Sequence, residues 1–195
     1  MRVGRIAAYG CAVCVCVFCV YAAQRAMSQT ANLATATPMI LEKNEGERRV
    51  WRVEPGHAGP GAAFILKVDP KNGGSSHLVF GTGDLAPGEK IDSHRHPGAD
   101  EILFLETGTA RVYLGDSGRE VHGGTTVFIP AGTSISVVNT GRDVIHLAFV
   151  FSAPGFEEFM RDASVREGEK NVPLSKDEDN EIQKKHLHDV IYNEP

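Results

Sequence analysis

The sequence predicts an all-β domain, a small barrel or sandwich, followed by a short helical extension at the C-terminus. Between residues 62 and 151, short apolar stretches alternate with turns rich in Gly, Pro, Asn and Asp. Turns recurring about every 8 to 12 residues are typical of the strands of a sandwich or barrel. No amphipathic helical pattern precedes Gly155, whereas two helical patterns follow it.

The first 28 residues are predicted to be an export signal. Arg2 and Arg5 precede an apolar run at residues 6–23, and small residues follow that run. The expected location is therefore secreted or periplasmic. A run of this length nearly spans a bilayer, so an uncleaved membrane anchor through residues 6–23 remains the alternative. All four cysteines lie inside the run, where we interpret them as small apolar residues and not as a metal or redox motif.

The charge balance excludes two classes of partner. Loss of residues 1–28 removes three arginines and no acid, leaving 17 basic and 25 acidic residues and a net charge of −8. An acidic domain without basic clusters is a poor ligand for nucleic acid or for an anionic membrane surface. We therefore expect no nucleic-acid partner, and no membrane partner after the leader is cleaved.

The rest of the chain is predicted to divide into an N-terminal extension (29–60), a barrel (61–153) and a helical C-terminal segment (154–195). Residues 48–53 alternate in polarity and predict an edge strand. Barrel strands are predicted at 64–68, 77–80, 101–105, 110–114, 119–122, 125–130, 134–139 and 144–151. Hairpin connections are predicted at 106–108 and at 140–141.

Two helices are predicted after the barrel. The first spans 155–161 and carries Phe156 and Phe159 on one face, either as a lid over the barrel mouth or as packing against the outer sheet. The second opens with the capping-box pattern at 175–178 and extends to about His188. His186 and His188 lie on different faces of such a helix, so we interpret them as solvated.

The stretch from Gly88 to Gly108 carries the candidate chemistry. His94 and His96 are two residues apart, so on an extended strand both side chains leave by the same face. Pro97 and Gly98 are turn formers that allow the chain to bend and bring the Glu101 carboxylate back beside the imidazoles. Two imidazoles and a carboxylate suit Fe, Mn, Ni or Zn, although a metal-free polar cluster has the same composition.

This stretch resembles the first motif of the cupin superfamily, G-x5-H-x-H-x4-E-x6-G. Residues 124–139 resemble its second motif, G-x5-P-x-G-x2-H-x3-N, with Ile135 in place of the histidine. The resemblance implies a double-stranded β-helix (jelly-roll) barrel, a divalent metal held by His94, His96 and Glu101, and a fourth metal ligand missing at Ile135. If strand 144–151 formed a hairpin with strand 134–139, His146 would point inward and become a substitute ligand; a hydrogen-bonded histidine on the outer face is the alternative.

The predicted substrate pocket is apolar and is lined by Leu103, Leu105, Ile135 and Val137. Together with an open three-ligand site, this lining favours a metal-dependent enzyme that acts on a small organic molecule. Dioxygenation of an aromatic compound is the first reaction that the resemblance implies, and isomerase or lyase chemistry the second. The alternatives are a metal-free module that binds a small molecule without catalysis and an interaction module. The resemblance also leaves a homodimer open.

Overall fold

The computed structural model of the chain describes residues 36–53 and 61–192. The predicted export signal lies outside these ranges, as do residues 29–35 of the predicted N-terminal extension. Residues from Pro38 onward form one compact unit. No helix within the described ranges is long and apolar enough to cross a membrane.

The domain is mostly β, as predicted, with two short helices. Its strands are β1 Glu47–Trp51, β2 Ala63–Val68, β3 Val79–Leu85, β4 Lys90–Arg95, β5 Glu101–Leu105, β6 Thr109–Leu114, β7 Ser117–His122, β8 Thr126–Ile129, β9 Ile135–Asn139, β10 Ile145–Phe151, β11 Ser164–Arg166 and β12 Ile191–Tyr192. Helix α1 spans Phe156–Asp162 and helix α2 spans Lys176–Lys185. Ser175 and Glu178 form the predicted capping box at the start of α2.

The strands form two sheets that enclose one core. The larger sheet has the order β11-β1-β2-β3-β10-β5-β8, and the smaller one has the order β12-β4-β9-β6-β7. Every neighbouring pair is antiparallel. Buried apolar side chains of both sheets join in one cluster between them. This two-sheet arrangement is the jelly-roll barrel that the sequence predicts.

Two predicted hairpins are wrong. β5 pairs with β10 and β8 in the larger sheet, whereas β6 pairs with β7 and β9 in the smaller one. β9 and β10 likewise lie in different sheets. The connections at 106–108 and 140–141 therefore cross between sheets. Turn residues and alternating polarity do not distinguish a hairpin from a connection between two sheets. In both, the second strand keeps its apolar face toward the same core.

The C-terminal segment adds a strand to each sheet. β11 pairs with β1, so β1 is not the edge strand that its alternating pattern predicts. β12 pairs with β4 at the edge of the smaller sheet, beside the candidate site. The half-buried Arg161 of α1 donates to the carboxylates of Glu47 and Asp69, which ties α1 to β1 and to the turn after β2. These contacts place α1 across one end of the barrel.

Candidate metal centre

His94, His96 and Glu101 converge at one end of the barrel. His94 lies near the end of β4, His96 directly follows that strand, and Glu101 is the first residue of β5. One ligand atom from each of the three lies within 4.8 Å of the others, and all three side chains are buried. The predicted return of the chain at Pro97 and Gly98 therefore brings these three residues together.

Both imidazoles are held by main-chain carbonyl groups. His94 Nδ1 lies 2.7 Å from the carbonyl oxygen of Asp92, and His96 Nδ1 lies 3.0 Å from that of Asp189. A carbonyl oxygen only accepts hydrogen bonds, so each Nδ1 carries the hydrogen and each Nε2 keeps its lone pair. This is the tautomer in which Nε2 binds a metal while the second ring nitrogen is anchored.

Two polar atoms at the centre of the site lack a hydrogen-bond partner. They are His96 Nε2 and Glu101 Oε2, both buried and 3.7 Å apart. A buried polar atom without a partner costs roughly 1–3 kcal/mol, so such atoms in a native site call for an explanation. The nitrogen carries a free lone pair, and the carboxyl oxygen opposite it is too far away to share a hydrogen bond with it. This arrangement suits a cation that binds both atoms. The residues present therefore fit a divalent transition metal.

Burial shifts the pKa values of these groups toward their neutral forms. Desolvation lowers the pKa of His94. Desolvation and the nearby imidazole of His94 together lower the pKa of His96 to about 4. Desolvation also raises the pKa of Glu101 to about 8. At neutral pH and without a cation, the imidazoles are therefore neutral and Glu101 is protonated. Binding of a cation has to displace the Glu101 proton.

Ile135 lies where the sequence motif has its missing histidine. It is directly opposite His94 in the β4–β9 pairing, and its side chain is buried in the core. The wall of the site on this side is therefore hydrocarbon. The three remaining protein ligands are the number found in sites that keep positions open for exogenous molecules.

His146 does not complete the ligand set. It lies on β10 with a half-buried side chain, and its Nδ1 is 2.6 Å from Asp84 Oδ1 on the neighbouring strand β3. The inward-facing neighbours of His146 are Ile145 and Leu147, both buried. The prediction of an inward His146 rested on the β9–β10 hairpin and fails with it, and the outer-face alternative is the arrangement observed.

The predicted pocket residues are core residues. Leu103, Leu105, Ile135 and Val137 are all buried in the main apolar cluster. A cavity of about 460 Å³ lies on the outer face of the larger sheet, and one of about 40 Å³ lies beside the candidate metal centre. The four residues line neither cavity.

Aromatic side chains from the C-terminal segment surround the two histidines. The Phe156 ring lies 4.5 Å from that of His96 and 6.2 Å from that of His94, where it is stacked. The Tyr192 ring lies 5.4 Å from His94. Phe156 thus occupies the lid position at the mouth, whereas Phe159 packs with Ala163 and Val190. The sequence gives no local signal for Asp189 or Tyr192, whose roles come from the pairing of β12 with β4.

Comparisons with known proteins agree with the fold. A family model described as a cupin domain matches residues 81–151. The protein YrkC of Bacillus subtilis (strain 168), described as uncharacterized, is 33% identical over 76 residues, 36% of this chain and 41% of that protein. The chain thus spans less than half the length of that relative.

Two further similarities cover more of the chain. The tetracenomycin polyketide synthase protein TcmJ of Streptomyces glaucescens is 26% identical over 122 residues, which is 58% of this chain and 81% of that protein. The crystal structure of the polyketide cyclase RemF from Streptomyces resistomycificus superimposes with a TM-score of 0.51 at 18% identity, covering 73% of this chain and 90% of that one. At this identity the structural match establishes the fold alone.

Proposed function

The chain belongs to the cupin superfamily, and from that premise we propose that it binds one divalent transition metal through His94, His96 and Glu101 and acts on a small organic molecule. The observation that carries the proposal is the pair of buried, partnerless atoms His96 Nε2 and Glu101 Oε2. Both are ligand atoms for Fe, Mn, Ni or Zn, and both point at the same space. A bound metal of this kind supplies a Lewis acid with positions for an exogenous ligand.

The chain's own residues prepare this site before any ligand arrives. The carbonyl groups of Asp92 and Asp189 fix the two imidazoles with Nε2 toward Glu101. Phe156 and Ile135 exclude water from two sides, which strengthens electrostatic interactions within the site. Glu101, protonated at neutral pH in the absence of a cation, gives up its proton when the site is filled.

The surroundings favour an apolar, planar substrate. Phe151, Phe156 and Tyr192 each place a ring within 6.2 Å of a candidate ligand histidine. Aromatic rings bind flat organic molecules through stacked and edge-to-face contacts. The name of the relative TcmJ, a polyketide synthase protein, supports a substrate of this kind. Dioxygenase-type chemistry is the first reaction class of this proposal, and isomerase-type chemistry the second.

A metal-free module that binds a small molecule is the second candidate. The observation that favours it is Ile135, which replaces a fourth ligand by a buried alkyl group and so weakens the metal site. In this case the protein binds an organic ligand equally well with and without a chelator. Export, predicted for residues 1–28, belongs to the proposal under either function, and N-terminal sequencing of the protein from its native compartment tests it.

Elemental analysis distinguishes the two functions. The protein is purified without an affinity tag and compared with His94→Ala, Glu101→Ala and, as a matched control, His122→Ala, whose imidazole is largely exposed. We expect about one transition metal per chain in the wild type and the control, and loss of that metal in the two site variants. A wild type that binds no transition metal after reconstitution would contradict the metal site and favour the binding module.

A further inference from the structure

The last described residues, 186–192, cover the mouth of the metal site; we call them the C-terminal strap. The main-chain carbonyl of Asp189 accepts the Nδ1 hydrogen of His96, and Tyr192 pairs with His94 between β12 and β4. The strap is thus in direct contact with both candidate ligand histidines. No other described segment after β11 reaches them.

With the strap in place, the site is closed to organic molecules. His94, His96 and Glu101 are only 5%, 3% and 6% exposed. The small cavity at the mouth has about 40 Å³ and is lined by Gly98, Ala99, Ala153, Pro154, Phe156, His188 and Asp189. A water molecule takes up about 30 Å³, whereas pockets for small organic ligands typically measure 300 Å³ or more. A substrate therefore reaches the site only if part of the wall moves.

The strap has fewer strand partners than the central strands of that wall. β12 contributes two paired residues at the edge of a sheet, whereas β10 pairs with neighbours on both sides. Val190 is buried, but in a small cluster with Phe159 and Ala163, separate from the main core. Segments with few apolar contacts open at a lower free-energy cost than core strands.

A polar contact fastens the start of the strap to α1. His186 Nε2 lies 2.9 Å from Asp162 Oδ2, and His186 Nδ1 lies 3.3 Å from Asp189 Oδ2. Lys185 also donates to Asp162. The prediction that His186 is solvated is wrong, because its side chain is buried between these carboxylates, whereas His188 is exposed as predicted. The side chain of Asp162, at the end of α1, therefore holds the first residue of the strap. We call the contact between His186 and Asp162 the latch.

We propose that the C-terminal strap is the gate of the site: fastened through His186 and Asp162, it closes the mouth over His94 and His96, and substrate enters when it lifts. The proposal rests on the proposed function only for the identity of the site that the gate covers. Its consequence is that loosening the latch exposes the two histidines while the barrel stays folded.

Histidine modification by diethyl pyrocarbonate tests the gate without metal. The full-length, chelator-treated protein is modified for increasing times, and each histidine is followed by mass spectrometry after trypsin digestion, which separates His94 from His96 at Arg95. In the wild type, we expect both to react far more slowly than the exposed His122. Asp162→Ala should raise both rates at least about tenfold, because it removes the contact that keeps the strap closed. Glu181→Ala, which changes an exposed carboxylate on α2, is the matched control and should leave both rates unchanged.

Hydrogen exchange and circular dichroism complete the test. Faster amide exchange in the strap of Asp162→Ala with unchanged barrel exchange is the expected result. Faster strap exchange with unchanged His94 and His96 reactivity would overturn the proposal, as would a wild type in which both react like His122. If Asp162→Ala does not fold, Val190→Ala loosens the strap from its apolar side and is judged by the same criterion. The measurements contain no metal, so a wild type that binds none refutes the proposed function and leaves this test intact.

Discussion

The buried carboxyl group of Glu101 should make the metal-free protein less stable as the pH rises toward 8. Burial raises its pKa from an ordinary 4.5 to about 8 in the folded chain. Between these values the folded state holds a proton that the unfolded state has lost. The free energy of unfolding therefore falls with rising pH, by about 1.4 kcal/mol per pH unit for one such group.

His96 affects the pH dependence of the unfolding free energy with the opposite sign and in a lower pH range. Its pKa is lowered to about 4 from 6.5, so its stabilising contribution is complete above 6.5 and is lost as the pH falls toward 4. Between pH 6.5 and 8 the Glu101 effect is therefore not offset by His96. Over this range the loss attributable to Glu101 should amount to about 2 kcal/mol.

Urea unfolding at pH 6.5 and pH 8 measures this contribution, with Glu101→Gln as the comparison. The variant keeps the shape of the side chain and removes its ionisation, so its free energy of unfolding should change less over this range by about 2 kcal/mol. Equal pH dependence in the wild type and the variant would refute the reasoning. Added Zn²⁺ should reverse the trend in the wild type, because metal binding displaces the proton and tightens toward pH 8.

Three other substitutions probe the site and its frame. Ile135→His restores a fourth imidazole opposite His94 and should raise Zn²⁺ affinity at least about tenfold, measured by competition with a chromophoric chelator; unchanged affinity would show that position 135 does not face the metal. Asn139→Ala removes hydrogen bonds to the carbonyls of Leu85 and Asp143 and should cost about 2–4 kcal/mol of unfolding free energy; a loss below about 1 kcal/mol would contradict this role. Arg161→Ala removes the guanidinium that bridges Glu47 and the buried Asp69, each of which keeps other hydrogen-bond donors, and should cost about 1–3 kcal/mol in the same assay; a near-neutral result would mean that water replaces the guanidinium.

Much of the fold follows from local patterns in the sequence. β5, for example, is Glu101–Leu105 as predicted, because alternation with a period of two marks a half-buried strand wherever that strand pairs. β3 extends beyond its predicted range of 77–80: it continues to Leu85 through Gly81 and Gly83, residues that suggest a turn. Gly81 is tolerated there because the Phe149 ring occupies the space in which its Cβ would lie, 2.3 Å away. A contact of this kind between β3 and β10 is not written in either segment alone.

The difference between local patterns and long-range contacts also explains why the prediction for His94 and His96 differs in outcome from that for His146. His94, His96 and Glu101 could be predicted to meet because they lie within eight residues of chain, in which one strand and one turn bring them together. Whether His146 points inward depended on which strands pair with β10. Those strands are β3 and β5, and the residue opposite His146 on β3 is Asp84, more than 60 positions away in the chain. The direction in which a side chain points is predicted wrongly when it is inferred from a strand pairing that the sheet does not form.

Local patterns in the sequence were enough to predict the all-β class, the positions of most strands, and a cluster of two histidines and a glutamate. These features depend on periodicity and on residues close together in the chain, where few conformations compete. The folded arrangement was needed to establish which strands share a sheet, that His146 faces outward, and that residues 186–192 cover the site. Those outcomes depend on contacts across about 50 to 100 residues, whose selection rests on the burial and packing of the whole core and not on any one segment.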